Sequence, residues 1–191
     1  MDEVLQRLGR IGVVPVIKID DAAHAIPLAE ALIAGDMPVA EITFRTGAAS
    51  ASIRDISRKL PNVLLGAGTV LSVSQAQQAV DAGARYIVSP GFSPLVVEWC
   101  LQHDIPVLPG VATPTEIIAA LDAGLSVLKF FPAEEFGGVR MLKALASPFS
   151  AVKFVPTGGI TPASLPDYLR LPNVLAVGGS WMVKPDLISA S

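Results

Sequence analysis

"TPTEIIAALDAGLSVLKFFP", residues 113–132, contains one complete helix-and-strand unit. Thr113 is a candidate N-cap, Pro114 stands at the first helical position, and Glu116 follows three residues after the cap. That arrangement is a capping box with proline where its missing N–H costs nothing. The apolar "IIAAL" gives the helix a buried side, and Gly124 stops it. "VLKFFP" then reads as a short strand buried on both faces.

The same unit recurs along the chain. Strand-like runs are "VVPVIK" from Val13, "VAEITF" from Val39, "NVLLGAG" from Asn62 and "RYIVSP" from Arg85. "IPVLPG" from Ile105, "VLKFFP" from Val127, "AVKFVPTGG" from Ala151 and "VLAVGGS" from Val174 complete the set. Their starts lie about 20 to 26 residues apart, the length of a strand, a loop and a helix. Between them, "DAAHAIPLAEALIAG" ends at Gly35, "SVSQAQQAVDAG" runs from an N-cap at Ser72 to Gly83, and "TPASLPDYLR" repeats the Thr-Pro start at Thr161.

Eight strands alternating with helices call for parallel pairing and right-handed crossovers. Eight is also the number that closes a (β/α)8 TIM barrel. An open doubly wound sheet is disfavoured: no G-x-G-x-x-G follows the first strand, and the spacing is nearly uniform. The expected architecture is therefore α/β, one (β/α)8 barrel spanning 1–191. A short amphipathic helix at residues 2–8 is expected to close its bottom. "WMVKPDLISAS" is too short for a full eighth helix, so the final helix is expected to be missing or truncated.

Composition narrows the function. The chain has 191 residues, 51% hydrophobic and 16% charged, with a net charge of −3. That describes a globular domain with no basic footprint for nucleic acid. No apolar run is long enough for a membrane helix, and "MDEVLQRLGR" lacks the features of a secretory signal. One cysteine, Cys100, cannot form an internal disulfide. A cytoplasmic enzyme is the expectation. His24 and His103, the only histidines, fall on helical segments, and no metal-ligand spacing is present, so no metal is expected.

Barrel active sites gather at the C-terminal ends of the strands. Glu41, Thr43 and Arg45 share one face of the second run by period two. Thr69 ends the third, Lys129 lies in the sixth, and Thr157, Gly158 and Gly159 end the seventh. Gly178, Gly179 and Ser180 end the eighth. A lysine in an apolar strand either snorkels outward or faces inward, where desolvation disfavours its ammonium form. The neutral amine is a nucleophile that forms a Schiff base with a ketone. Glu41 fits either an ion pair or a general base. Arg45 offers a fork for a carboxylate, or a surface ion pair. Two glycine pairs after the seventh and eighth strands fall where barrels hold phosphate. The same residues leave two rivals open: a phosphosugar isomerase or epimerase, which would not need Lys129, and a non-catalytic phosphosugar-binding barrel.

"AEITFRT", "GAGTVL", "SPGF", "PGVATPTE", "LKFFPAE", "FVPTGGI" and "VGGSW" together resemble the 2-dehydro-3-deoxy-phosphogluconate (KDPG) aldolase family, which includes 4-hydroxy-2-oxoglutarate (KHG) aldolase activity. The resemblance implies a class I aldolase of the Entner–Doudoroff pathway, a homotrimer on a (β/α)8 barrel, needing no cofactor. It implies Lys129 as the Schiff-base lysine and Glu41 as the proton shuttle. Arg45 and Thr69 would hold the pyruvyl carboxylate, Pro90 and Phe131 would wall the pocket, and Thr157 would contact substrate oxygens. Gly158, Gly159, Gly179 and Ser180 would receive the phosphate. The 6-phosphogalactonate aldolase is the nearest rival within this class.

Overall fold

The computed structural model describes residues 2–188. In chain order the elements are α1 (Glu3–Ile11), β1 (Val13–Ile17), a 3-10 turn (Ala22–His24), α2 (Ala25–Ala34) and β2 (Val39–Thr43). Then come α3 (Ala49–Lys59), β3 (Leu64–Gly68), α4 (Val73–Ala82), β4 (Tyr86–Val88), α5 (Pro94–Gln102), β5 (Val107–Leu108) and β6 (Gly110–Val111). They are followed by α6 (Pro114–Asp122), β7 (Val127–Phe130), α7 (Gly138–Ala146), β8 (Lys153–Pro156), α8 (Leu165–Leu169), β9 (Val177–Gly179) and α9 (Pro185–Ile188).

Every strand pair is parallel, as the alternation requires, but the hydrogen-bond ladders form two sheets. Six strands run in the order β5-β4-β3-β2-β1-β9, and three in the order β6-β7-β8. The single closed ladder of eight expected strands is not what the ladders form. One break falls at Pro109: β5 pairs with β4, whereas β6 pairs with β7. Proline lacks the N–H a ladder needs, so the expected fifth strand splits there. The other break lies between β8 and β9. Only the isolated bridges Phe154–Val174 and Thr157–Gly178 cross it. They enclose one residue more on the second segment than on β8, which is the count of a bulge, and Pro156 again lacks an N–H.

Both sheets nevertheless curl around one interior. Val14 of β1, Val39 of β2, Leu64 of β3, Tyr86 and Val88 of β4, Leu108 of β5, Val127 of β7 and Val155 of β8 pack in one cluster. A flat sheet cannot bring side chains from strands so far apart in its order into one cluster. Val4 and Leu8 of α1 join the same cluster, so the N-terminal helix plugs the interior as expected. Asp2 caps that helix by accepting the Val4 N–H at 2.7 Å. Gly12, at φ 79°, ends it and turns the chain into β1, a left-handed conformation glycine adopts without strain.

Two further apolar clusters lie outside the strands. One packs α2 to α5 against β1 to β5, and the other packs α6 to α8 against β7 and β8. The capping box at Thr113 forms: Thr113 Oγ1 accepts the Glu116 N–H, and Glu116 Oε2 accepts the Thr113 N–H. Ser72 caps α4 as expected. The helix start read at Thr161 is displaced. Ser164 is the N-cap of α8, and Thr161 closes a turn before it. Pro166 explains the shift, because a proline fits the first turn of a helix but not its interior. After β9 the chain forms one helical turn, α9; residues 189–191, part of the expected short end, lie outside the described residues.

Candidate active site

Glu41 stands mid-β2, where every residue is buried, and Lys129 stands mid-β7 in the same condition. Lys129 Nζ lies 3.5 Å from Glu41 Oε1, with the two side chains 6% and 5% exposed. The lysine therefore faces inward, and the outward-snorkelling alternative is excluded. Its ammonium also lies 5.1 Å from the centroid of Phe131, over the ring face, where the quadrupole attracts a cation. The space for Glu41 comes from β3. A Cβ added at Gly68 would fall 2.1 Å from Glu41 Oε1, so any other residue there would displace the carboxylate.

Two cavities lie next to each other here, with Thr157 in the wall of both. The outer is a cleft of about 170 Å³ bordered by Arg45, Phe131, Thr157, Gly158, Gly159 and Ser180, with Val16, Ile160, Gly178 and Gly179 completing it. The inner is an internal cavity of about 10 Å³ lined by Glu41, Lys129, Tyr86 and Thr157 among aliphatic side chains. Arg45 is steered by a relay: its Nε donates to Thr43 Oγ1 at 3.1 Å, and Thr43 donates to the Ile17 carbonyl at 2.8 Å. Gly158 and Gly159 hold φ of 104° and 75°. These values open the loop after β8 so that backbone can approach an anion closely.

Of the residues singled out in the sequence, Lys129, Glu41, Arg45, Phe131, Thr157, Gly158, Gly159, Gly179 and Ser180 gather around these two cavities. Thr69 and Pro90 line neither. Pro90 borders a separate depression with Leu71, Ser89 and Phe92. Thr69 follows Gly68 at φ 56°, a strained conformation for a β-branched residue. Tyr86 was not among the sequence candidates. Period two pointed to it, since Tyr86 and Val88 face the same side of β4.

The histidines stay apart from the site. His103 stacks on Trp99 with ring centroids 4.2 Å apart, and His24 ends the 3-10 turn. Among the described residues, no group of three His, Cys, Asp or Glu side chains is placed to hold a metal ion. No helix among them is long and apolar enough to cross a membrane.

A family model described as KDPG and KHG aldolase matches residues 4–191. The chain belongs to that family. This aldolase is 52% identical over 190 residues to a 2-dehydro-3-deoxy-phosphogluconate aldolase of Treponema pallidum, covering 100% of this chain and 90% of the other. It is 46% identical over 178 residues to the KHG/KDPG aldolase of Escherichia coli K12, covering 93% and 84% of the two chains. Among solved structures, it resembles the KDPG aldolase of Legionella pneumophila, crystallised with pyruvate captured at low pH as a covalent carbinolamine. The TM-score is 0.92 at 42% identity, covering 95% of this chain and 90% of that one.

Proposed function

We propose that this aldolase cleaves 2-dehydro-3-deoxy-6-phospho-D-gluconate to pyruvate and D-glyceraldehyde 3-phosphate, and also 4-hydroxy-2-oxoglutarate to pyruvate and glyoxylate. The observation that carries the reading is the buried Lys129–Glu41 pair, 3.5 Å apart, beside a cleft whose rim holds Arg45 and the two glycine loops.

The residues supply each step. Lys129 gives its proton to Glu41 and attacks the C2 ketone as a free amine, forming a carbinolamine. Glu41 returns that proton to the carbinolamine hydroxyl, which departs as water and leaves a protonated imine that withdraws electrons from C3, with Glu41 again a carboxylate. Glu41 accepts the C4 hydroxyl proton, the C3–C4 bond breaks, and its electron pair flows to nitrogen as the enamine forms. The aldehyde leaves, Glu41 returns a proton to C3, and water hydrolyses the pyruvyl imine. The iminium is the electron sink, so the route calls for no external cofactor. Arg45 suits the substrate carboxylate, and the N–H groups after β8 and β9, with Ser180, suit the phosphate. The carboxylate role of Thr69 and the wall role of Pro90 rest on the family resemblance, with the strained φ of Thr69 in support of the first.

The same reading takes the two curled sheets as arcs of one (β/α)8 barrel over 1–191, supported by the shared interior cluster and the two bridges beside β9. It makes the enzyme cytoplasmic and a homotrimer. The exposed apolar side chains Leu71, Leu95 and Ile118 are the kind an assembly covers.

Borohydride reduction in the presence of pyruvate tests the assignment. One pyruvyl unit is expected, on the peptide bearing Lys129, and Lys129→Ala should lose both labelling and turnover while keeping its fold. Labelling at Lys143 or Lys153 instead would move the active site.

A further inference from the structure

Tyr86 faces the inner cavity, yet the aldol chemistry above leaves its phenol without a task. The side chain is 1% exposed, and its hydroxyl has no hydrogen-bond partner among the described residues. A buried hydroxyl without a partner is costly, so its position calls for an explanation. The sequence makes deliberate room for it. A Cβ at Gly66 would fall 2.1 Å from the Tyr86 ring, just as one at Gly68 would fall on Glu41. Two glycines on one face of β3 thus admit a phenol and a carboxylate side by side.

The geometry points to Tyr86 as a positioning residue that anchors the Glu41 carboxylate through a single water molecule sealed in the inner cavity. The cavity of about 10 Å³ is close to the smallest volume that holds one water. Tyr86, Glu41, Lys129 and Thr157 give that water its polar partners. Leu8 of α1, Val14 of β1, Val88 of β4, Leu108 of β5 and Val155 of β8, all buried, make up the rest of its walls. Glu41, Lys129 and Tyr86 are the titratable side chains facing the cavity; the remaining walls are aliphatic apart from Thr157. Burial, and then the Glu41 charge, push the Tyr86 phenol well above the ordinary tyrosine range. It therefore remains a protonated donor throughout the working pH range.

The water accepts the Tyr86 O–H and donates to one carboxylate oxygen, leaving the other to exchange protons with substrate. A hydrogen bond donated to a carboxylate favours its charged form. The inference rests on the proposed roles of Lys129 and Glu41, and deepens them.

Tyr86→Phe tests it, because the ring and its packing on Gly66 are kept. Loss of one hydrogen bond to a charged group should lower kcat by about tenfold with KM little changed. The acidic limb of the kcat/KM profile should move up by about one pH unit. A merely structural tyrosine would lower Tm without moving that limb. A high-resolution crystal structure of the wild-type protein should place one water within hydrogen-bond distance of both Tyr86 Oη and Glu41. That structure decides the matter even if Tyr86→Phe does not fold. A dry cavity, or an unchanged kcat and pH profile in the variant, overturns the proposal. Pyruvate trapping separates the two levels. If wild-type Lys129 is labelled but the variant's profile is unchanged, Tyr86 alone loses its role. If Lys129 is not labelled, the underlying assignment falls and this proposal falls with it.

Discussion

At the scale of single residues, the chemistry depends on which groups are kept from water. Lys129 and Glu41 are buried together, so each is the other's first partner. Cys100 is buried among apolar side chains, and burial pushes its thiol up to about 11, which leaves it inert. Ser180 is different: it is exposed on the rim of the outer cleft, where a substrate phosphate would meet it. Removing one hydrogen bond to a charged group weakens transition-state binding by roughly 10- to 150-fold. Exposure places Ser180→Ala at the lower end, so kcat/KM for the phosphorylated substrate should fall by about tenfold. Cleavage of 4-hydroxy-2-oxoglutarate, which has no phosphate, should hardly change. Steady-state kinetics on both substrates checks this, and equal losses would remove the phosphate from these loops.

At the scale of elements, caps and breakers explain where helices and strands begin and end. Glu116 shows how one side chain sets such a boundary. Burial pushes its carboxyl up, but the Ala112 N–H, the Thr113 hydroxyl and the Thr113 N–H outweigh that and hold it below the usual range. Its contribution is therefore fully present above the unfolded carboxyl pKa and is lost as pH falls through the folded one. Glu116→Ala should cost about 1 kcal/mol at neutral pH. The gap to wild type should narrow in acid, measured by urea melts at neutral pH and near pH 3. These features were legible because a cap involves residues three or four apart. Thr161 was misread because Pro166, five residues on, forbids the helix that Thr161 would have started. The splitting of the fifth strand had its signal in Pro109, but "IPVLPG" alone does not tell whether a proline interrupts a strand or ends it.

At the scale of the whole molecule, the two sheets share one interior while two separate helix layers cover them. Trp99 packs against the layer beside β1 to β5, and Trp181 against the layer beside β7 and β8. If the interior binds both arcs into one cooperative unit, Trp99→Phe and Trp181→Phe variants should each report through the remaining tryptophan. Their fluorescence midpoints in denaturant should coincide with the loss of circular dichroism. Separated midpoints would mean that the arcs unfold independently. By itself the sequence determined the parallel α/β class, most of the helix caps it was read for, the plug helix and most of the candidate residues that line the two cavities. Those follow from side-chain period and from neighbours along the chain. Only the tertiary structure decided that Lys129 meets Glu41 across 88 residues of sequence. Only it set Tyr86 on the same cavity as that pair and left Thr69 and Pro90 off the cavity walls. Such distances are set by how far the sheets curl and how their strands are staggered. Curl and stagger sum small twists, a bulge and two proline breaks over the whole chain, so no short stretch of sequence contains them.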